Sequence, residues 1–168
     1  QAALAAAGVE LVTDTDNLID RCWHNRPAPV CNPALLLDEA FTGESSCAKR
    51  QRCAAGVQAR GCDAALIFAP DSVSWLLNIR GTDMPQLPVV QSFALLEATA
   101  ELTLFVDPRR LPEGFHAHVG EGVRVLAETD VSNALGAYAH RTVLADPRNA
   151  SAWLQLALER AGAILVEG

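Results

Sequence analysis

Ala64-Ala-Leu-Ile-Phe-Ala-Pro-Asp-Ser-Val-Ser-Trp-Leu-Leu-Asn-Ile-Arg-Gly-Thr-Asp83 decides how this chain is read. Ala64–Phe68 is a short apolar run bounded by polar and breaker residues, the pattern of a buried strand. Asp71 is placed to cap a helix over Ser72 to Leu77. That helix then runs into a polar loop carrying Asn78, Arg80 and Asp83 around Gly81. Three hydrogen-bonding side chains around a glycine suggest a loop that faces a ligand or a partner. Arg80 has the planar fork that pairs with a carboxylate, either on a ligand or on Asp83 itself. In the second case the loop is shaped by a local ion pair and binds nothing.

Working outward, strands and helices alternate. Ser45 to Arg60 reads as a helix, with Thr42 or Ser45 as N-cap and Gly61 at its stop. Val89–Leu96 and Leu102–Val106 read as a hairpin or adjacent strands. Leu111–Val119 reads as a short helix, Val123–Leu126 as a strand, and about Asp130 to Tyr138 as a helix. Thr142–Leu144 is a strand, Ser151 caps a helix to Arg160, and Ala163–Val166 is a final strand. Upstream, residues 1–8 read as helix and Val9–Val12 as a short strand. Thr13 to Pro33, rich in Pro, Asp and Asn, reads as a linker anchored by Trp23. The alternation gives an α/β fold, and the hairpin makes its sheet mixed.

With 168 residues the chain suits one domain with a sizeable core, and at 50% apolar residues it is globular. A net charge of -7 argues against nucleic-acid binding. No apolar stretch reaches the roughly 20 residues of a membrane-spanning helix. The apolar start lacks the basic residues of a signal peptide. The chain does not begin with Met, and is expected to be a fragment or a processed product. Its five cysteines are odd in number, irregularly spaced and without a Cys-x-x-Cys pair. Reduced thiols in a cytoplasmic protein are the expectation.

Other constellations are weaker. His116-Ala-His118 offers two imidazoles to a metal, but no carboxylate cluster lies close in sequence, and two surface histidines are the plainer reading. Ser46-Cys-Ala-Lys49 fits Ser-x-x-Lys, yet the companion motifs of acyl-enzyme hydrolases do not occur. A helix start with one solvated lysine is the expectation there. Asn149-Ala-Ser151 fits a glycosylation site that is common by chance. Trp23 and Trp75 read as packing anchors. No glycine-rich phosphate loop is present.

Three segments resemble one family. Asn17-Leu-Ile-Asp20 with Trp23, Arg26 and Pro27 is similar to the link between the first and second domains of three-domain Xaa-Pro aminopeptidases. Phe41-Thr-Gly-Glu-Ser45 with Lys49 resembles the start of a helix in the second. Asp71 through Ala94 resembles that domain's Trp-Leu-(Phe/Leu)-Asn-(Ile/Leu)-Arg-Gly-(Ser/Thr)-Asp stretch and the Pro-Val and Ser-(Tyr/Phe)-Ala after it. Leu104-Phe-Val-Asp107 extends the match. Two positions depart from the pattern: Leu87-Pro88 stands where the family has Asn-Pro, and Ser74 where it has Ala.

The resemblance implies the creatinase/prolidase N-terminal fold, a mixed β-sheet flanked by helices with a ribonuclease H-like motif. It makes residues 1–33 the end of a preceding domain and a linker, and 34–168 the domain itself. In this family the pita-bread catalytic domain, with two divalent metal ions (manganese) on two Asp, one His and two Glu, follows this region. No catalytic residue, metal ligand or cofactor is therefore expected here. Asn78, Arg80 and Asp83 become candidates to line the cleft or an interface. The implied partners are the C-terminal catalytic domain, a second subunit and short peptides with proline second. Two rivals stand beside this: a stand-alone binding module of the same fold, and a small hydrolase using Ser46 and Lys49 or a cysteine.

Overall fold

The computed structural model describes residues 4, 6–10, 12 and 16–168. The chain divides into two compact units, Gln1–Val30 and Cys31–Gly168. In the first, the segment expected as a linker contains a short helix, α1 (Leu18–Cys22), because the Asn17 side chain accepts the Ile19 amide at 3.0 Å. Arg26 pairs with Asp20 at 2.6 Å and sits 5.5 Å over the Trp23 ring, which stays 46% exposed. Leu4 and Ala6 are helical. The rest of the expected first helix lies partly outside the described residues. The strand expected over 9–12 does not form at Val9, Glu10 or Val12, and position 11 is outside the described residues.

The second unit is a six-stranded sheet with helices on both faces. Its strands are β2 (Ala64–Ile67), β4 (Phe93–Glu97), β5 (Leu102–Phe105), β6 (Val123–Leu126), β7 (Thr142–Ala145) and β8 (Ile164–Glu167). Their order is β6-β5-β4-β2-β7-β8. The β4–β5 and β2–β4 pairs are antiparallel, and β5–β6, β2–β7 and β7–β8 are parallel. A separate two-stranded ribbon pairs β1 (Leu35–Leu36) with β3 (Ile79–Arg80). The expected mixed sheet is formed.

Period-two side-chain alternation sorts the central strands into two cores. Ala94, Leu96, Leu102 and Leu104 face one side, under helices α3 (Ser46–Ala59), α4 (Pro70–Leu77) and α5 (Phe115–Val119). Leu66, Leu95, Phe105 and Val143 face the other, under α6 (Val131–Leu135) and α7 (Ala152–Arg160). The helices that follow the parallel neighbours β2 and β7 thus lie on opposite faces.

Local details differ from the expectations. α4 starts at Pro70, whose missing N–H costs nothing in the first turn; Asp71 lies inside that turn, and Ala69 is the cap residue. The strand expected from Val89 begins only at Phe93. Val89 and Val90 are buried outside the sheet, and the Val90 amide donates to the Ser74 hydroxyl at 3.0 Å. Residues 130–138 form α6 flanked by two 3-10 turns, not one helix. Thr42 ends a four-residue helix, α2 (Glu39–Thr42), while Ser45 caps α3 by accepting the Ala48 amide at 3.2 Å. Ser151 begins α7 without a side-chain cap bond.

Candidate functional site

The loop after α4 is held by Asn78. It takes the left-handed conformation, φ 54°, at the helix C-cap, a place where Asn is tolerated better than most residues. Its side chain is buried and spent on structure. Oδ1 accepts from Lys49 Nζ at 2.6 Å, and Nδ2 donates to the Glu44 carbonyl at 2.8 Å. Its backbone carbonyl accepts from the Leu37 amide at 2.9 Å and faces His118 Nε2 at 3.1 Å. Asn78 therefore joins α3, α4, α5 and the β1–β3 ribbon.

Lys49 is the only lysine of the chain, and it is not solvated: it is 3% exposed. It donates to the Trp75 carbonyl at 3.1 Å as well as to Asn78, and its Nζ lies 4.5 Å from the centre of the Trp75 ring. Burial lowers its pKa, and Arg80 and Arg52 push the same way, against Glu44. No described carboxylate forms an ion pair with it. The Glu44 carboxylate is occupied by Arg52, at 2.7 and 3.2 Å.

Arg80 and Asp83 do not pair with each other. Asp83 is buried against Arg110 and accepts the Asn32 amide at 2.8 Å. Asp83 thus fastens the start of the domain to the loop. Arg80 is half-buried, and its one hydrogen bond runs to the carbonyl of its neighbour Ile79, at 2.9 Å. Gly81 is required by space: a Cβ there meets the Val89 carbonyl, 2.6 Å from its carbon and nearer still to its oxygen.

Of the three loop candidates, Arg80 and the buried side chain of Asn78 border one cavity. The cavity holds about 230 Å³ between Arg80, Lys49, Trp75, Phe41 and Leu37. No acidic side chain lines it. Phe41 is 87% exposed and Trp75 42% exposed at its rim. Two cations beside apolar rings suit an anion attached to an apolar body. A second cavity of about 360 Å³ lies at the carboxyl ends of β2 and β7, with Phe68, Trp75 and Asp146 in its wall. Asp146 there is already engaged by the Arg148 amide at 2.9 Å and the Asn149 side chain.

The remaining candidates have structural settings. His116 and His118 lie on helix α5, two positions apart, so they do not share a face. His118 Nε2 contacts the Leu77 carbonyl at 3.2 Å and helps to cap α4. Ser46 is 1% exposed at the start of α3 and its hydroxyl has no hydrogen-bond partner, while Lys49 is turned to Asn78. The five cysteines are free thiols. Among the described residues, no group of three or more His, Cys, Asp and Glu side chains can hold a metal ion, and no helix is long and apolar enough to cross a membrane. Sequence reasoning missed two buried arginines. Arg50 donates to the carbonyls of Ala100, Val119 and Glu121 at 2.8, 3.0 and 2.7 Å, and Arg110 holds Asp83. Nothing in the sequence marks their backbone and loop partners.

Residues 25–168 match the Creatinase/Prolidase N-terminal domain family. The Xaa-Pro aminopeptidase app-1 of Caenorhabditis elegans is 37% identical over 115 residues, which is 68% of this chain and 18% of that protein. Aminopeptidase P1 of Arabidopsis thaliana is 35% identical over 130 residues, 77% of this chain and 20% of that protein. The chain thus spans about a fifth of the length of these relatives. The crystal structure of X-prolyl aminopeptidase from C. elegans, described as a cytosolic enzyme with a di-nuclear active site, superposes with a TM-score of 0.87 at 26% identity. That match covers 99% of this chain and 28% of the other. The creatinase/prolidase N-terminal domain of a Streptococcus pyogenes X-Pro dipeptidase shares the fold, with a TM-score of 0.52 at 13% identity, covering 72% of this chain and 93% of that one. The chain belongs to the creatinase/prolidase N-terminal domain family, in the form of that domain found in Xaa-Pro aminopeptidases.

Proposed function

We propose that the chain is a non-catalytic part of a metal-dependent Xaa-Pro aminopeptidase, shaping the active-site cleft and its contacts. The observation that carries this reading is the superposition of nearly the whole chain on one part of the C. elegans enzyme, with a TM-score of 0.87. In this reading residues 1–33 end a preceding domain and lead into the domain at 34–168. The catalytic domain belongs to the same polypeptide, a homodimer is the assembly, and the setting is cytoplasmic. Substrates are short peptides with proline at the second position. The loop supplies Arg80 to the cleft side, with Asn78 and Asp83 holding its shape.

The family's two metal ions, manganese in this reading, do not fit the residues of this chain. Its described residues offer no donor set for even one ion. The chemistry they supply, activation of water for amide hydrolysis, belongs to the catalytic domain. Reading the encoding gene past the codon for Gly168 tests the proposal. An in-frame catalytic domain with the Asp, Asp, His, Glu, Glu ligand set is expected, and an immediate stop codon refutes it.

A second reading, a stand-alone binding module, is favoured by one feature. The unit Cys31–Gly168 closes hydrophobic cores on both faces of its sheet. A partner that binds the isolated chain through the Arg80 loop distinguishes this reading.

A further inference from the structure

The cavity beside the loop combines features that do not follow from the fold. The chain is acidic, with a net charge of -7, yet this cavity is lined by two cations and no acid. Lys49 is buried with two hydrogen bonds to neutral oxygens and, among the described residues, no ion pair. A buried ammonium is costly; the Glu44 carboxylate, bonded to Arg52, offsets only part of that cost, and it falls further when an anion arrives at the ammonium itself. Arg80 has no described carboxylate partner and makes its one bond to its own neighbour's carbonyl. Its remaining N–H groups are those that grip a carboxylate in parallel. Arg52 adds positive charge nearby: its guanidinium lies 5.6 Å from the Trp75 ring centre, although it is offset by Glu44. Asp38, next to cavity residue Leu37, is held in its own turn by the Ala40 amide at 2.8 Å. Phe41 and Trp75 leave apolar ring surface exposed beside the two cations, where the apolar part of a ligand can pack.

We propose that this cavity is a carboxylate-binding site, in which Arg80 and Lys49 receive the carboxylate and the Phe41 and Trp75 rings hold the apolar group attached to it. The volume of about 230 Å³ suits one amino-acid residue rather than a folded segment. Lys49 is anchored by Asn78 and the Trp75 carbonyl, so it supplies a fixed charge. Arg80 supplies the adjustable, bidentate contact. Two sources share this chemistry: the C-terminal carboxylate of a short peptide, and the side-chain carboxylate of a protein surface. The peptide source rests on the aminopeptidase reading. The chemistry of the cavity does not.

The test is a titration of the 168-residue chain, followed by NMR at the Trp75 indole N–H and the Arg80 Nε–H. The ligands are the tripeptide Ala-Pro-Phe as free acid, its C-terminal amide, and acetyl-Glu-Phe-amide, whose only carboxylate is on a side chain. At least one carboxylate ligand is expected to saturate both signals, and the amide of Ala-Pro-Phe to bind about tenfold more weakly than the acid if the acid is the ligand. Saturation by Ala-Pro-Phe alone identifies peptide termini as the source; saturation by acetyl-Glu-Phe-amide alone identifies a protein side chain. Arg80→Gln is expected to weaken binding about tenfold with Tm unchanged, which separates it from Lys49→Met, where folding is also at risk. No binding by either carboxylate, saturation by the Ala-Pro-Phe acid and its amide alike, or undiminished binding by Arg80→Gln overturns the proposal. Peptidase activity is not read in this titration, so its failure leaves the aminopeptidase reading standing.

Discussion

Replacing Asn78 separates two contributions that the structure combines at one residue. Asn78→Ala removes a charge-assisted bond to Lys49 and a neutral bond to the Glu44 carbonyl. It leaves the Lys49 ammonium buried with the Trp75 carbonyl as its remaining hydrogen-bond partner. It also puts alanine at φ 54°, where a Cβ is strained. A lost bond to a charged group costs about 1.5–3 kcal/mol, a neutral one about 0.5–1.5, and the left-handed backbone about 1–2. Asn78→Ala is therefore expected to destabilise the fold by about 3–6 kcal/mol. Asn78→Gly removes the same two bonds, but glycine adopts this backbone without a clash. It is expected to cost about 1 kcal/mol less than alanine. Urea denaturation of the three proteins, compared at constant m, reads both differences. Equal losses for alanine and glycine refute the backbone argument. A loss below about 1 kcal/mol in both refutes the claim that Asn78 ties the loop to Lys49.

Three further outcomes are expected. Gly81→Ala drives a Cβ into the Val89 carbonyl, so it is expected to cost about 3 kcal/mol or more, whereas Gly43→Ala, at φ 73° in open space, costs about 1; urea midpoints compare them. Arg50→Met strips three carbonyls, the buried one of Val119 among them, of their donor and is expected to cost about 2–4 kcal/mol, against less than about 1 for Arg124→Met, an exposed side chain on the edge strand β6 with one bond to Thr103; thermal melts decide. The Arg109 side chain, and then its amide, hold the Asp107 carboxyl down at about 2. A depressed value stabilises the fold above the unfolded value of about 4 and loses that contribution as pH falls through about 2. In Arg109→Gln, carboxyl 13C shifts should show Asp107 titrating closer to the ordinary range, and the pH dependence in that window should shrink.

Strand and helix alternation was legible because short apolar runs are bounded by residues that end them, such as Asp107-Pro108 and Asp146-Pro147. Strand order was not, since β2 pairs with β4 and β7, partners that local pattern does not encode. The start of α4 slipped because its cap at Ala69 is backbone geometry rather than a side chain, whereas α7 starts after Ser151 as expected. The loop Asn78–Asp83 was found by its composition, but the work of each residue was not. Asp83 pairs with Arg110 rather than with the nearer-in-sequence Arg80, because the fold brings Arg110 to it. Lys49 read as solvated because its acceptors, Asn78 and the Trp75 carbonyl, lie far along the chain. A buried cation held by neutral oxygens carries no local charge pattern to reveal it.

The most direct measurement is hydrolysis of an Xaa-Pro peptide, with manganese present, by the product of the complete reading frame beside the 168-residue chain alone. The complete product is expected to release the residue before proline, and the chain alone is not. Turnover by the isolated chain, or none by the complete product, contradicts the proposed function.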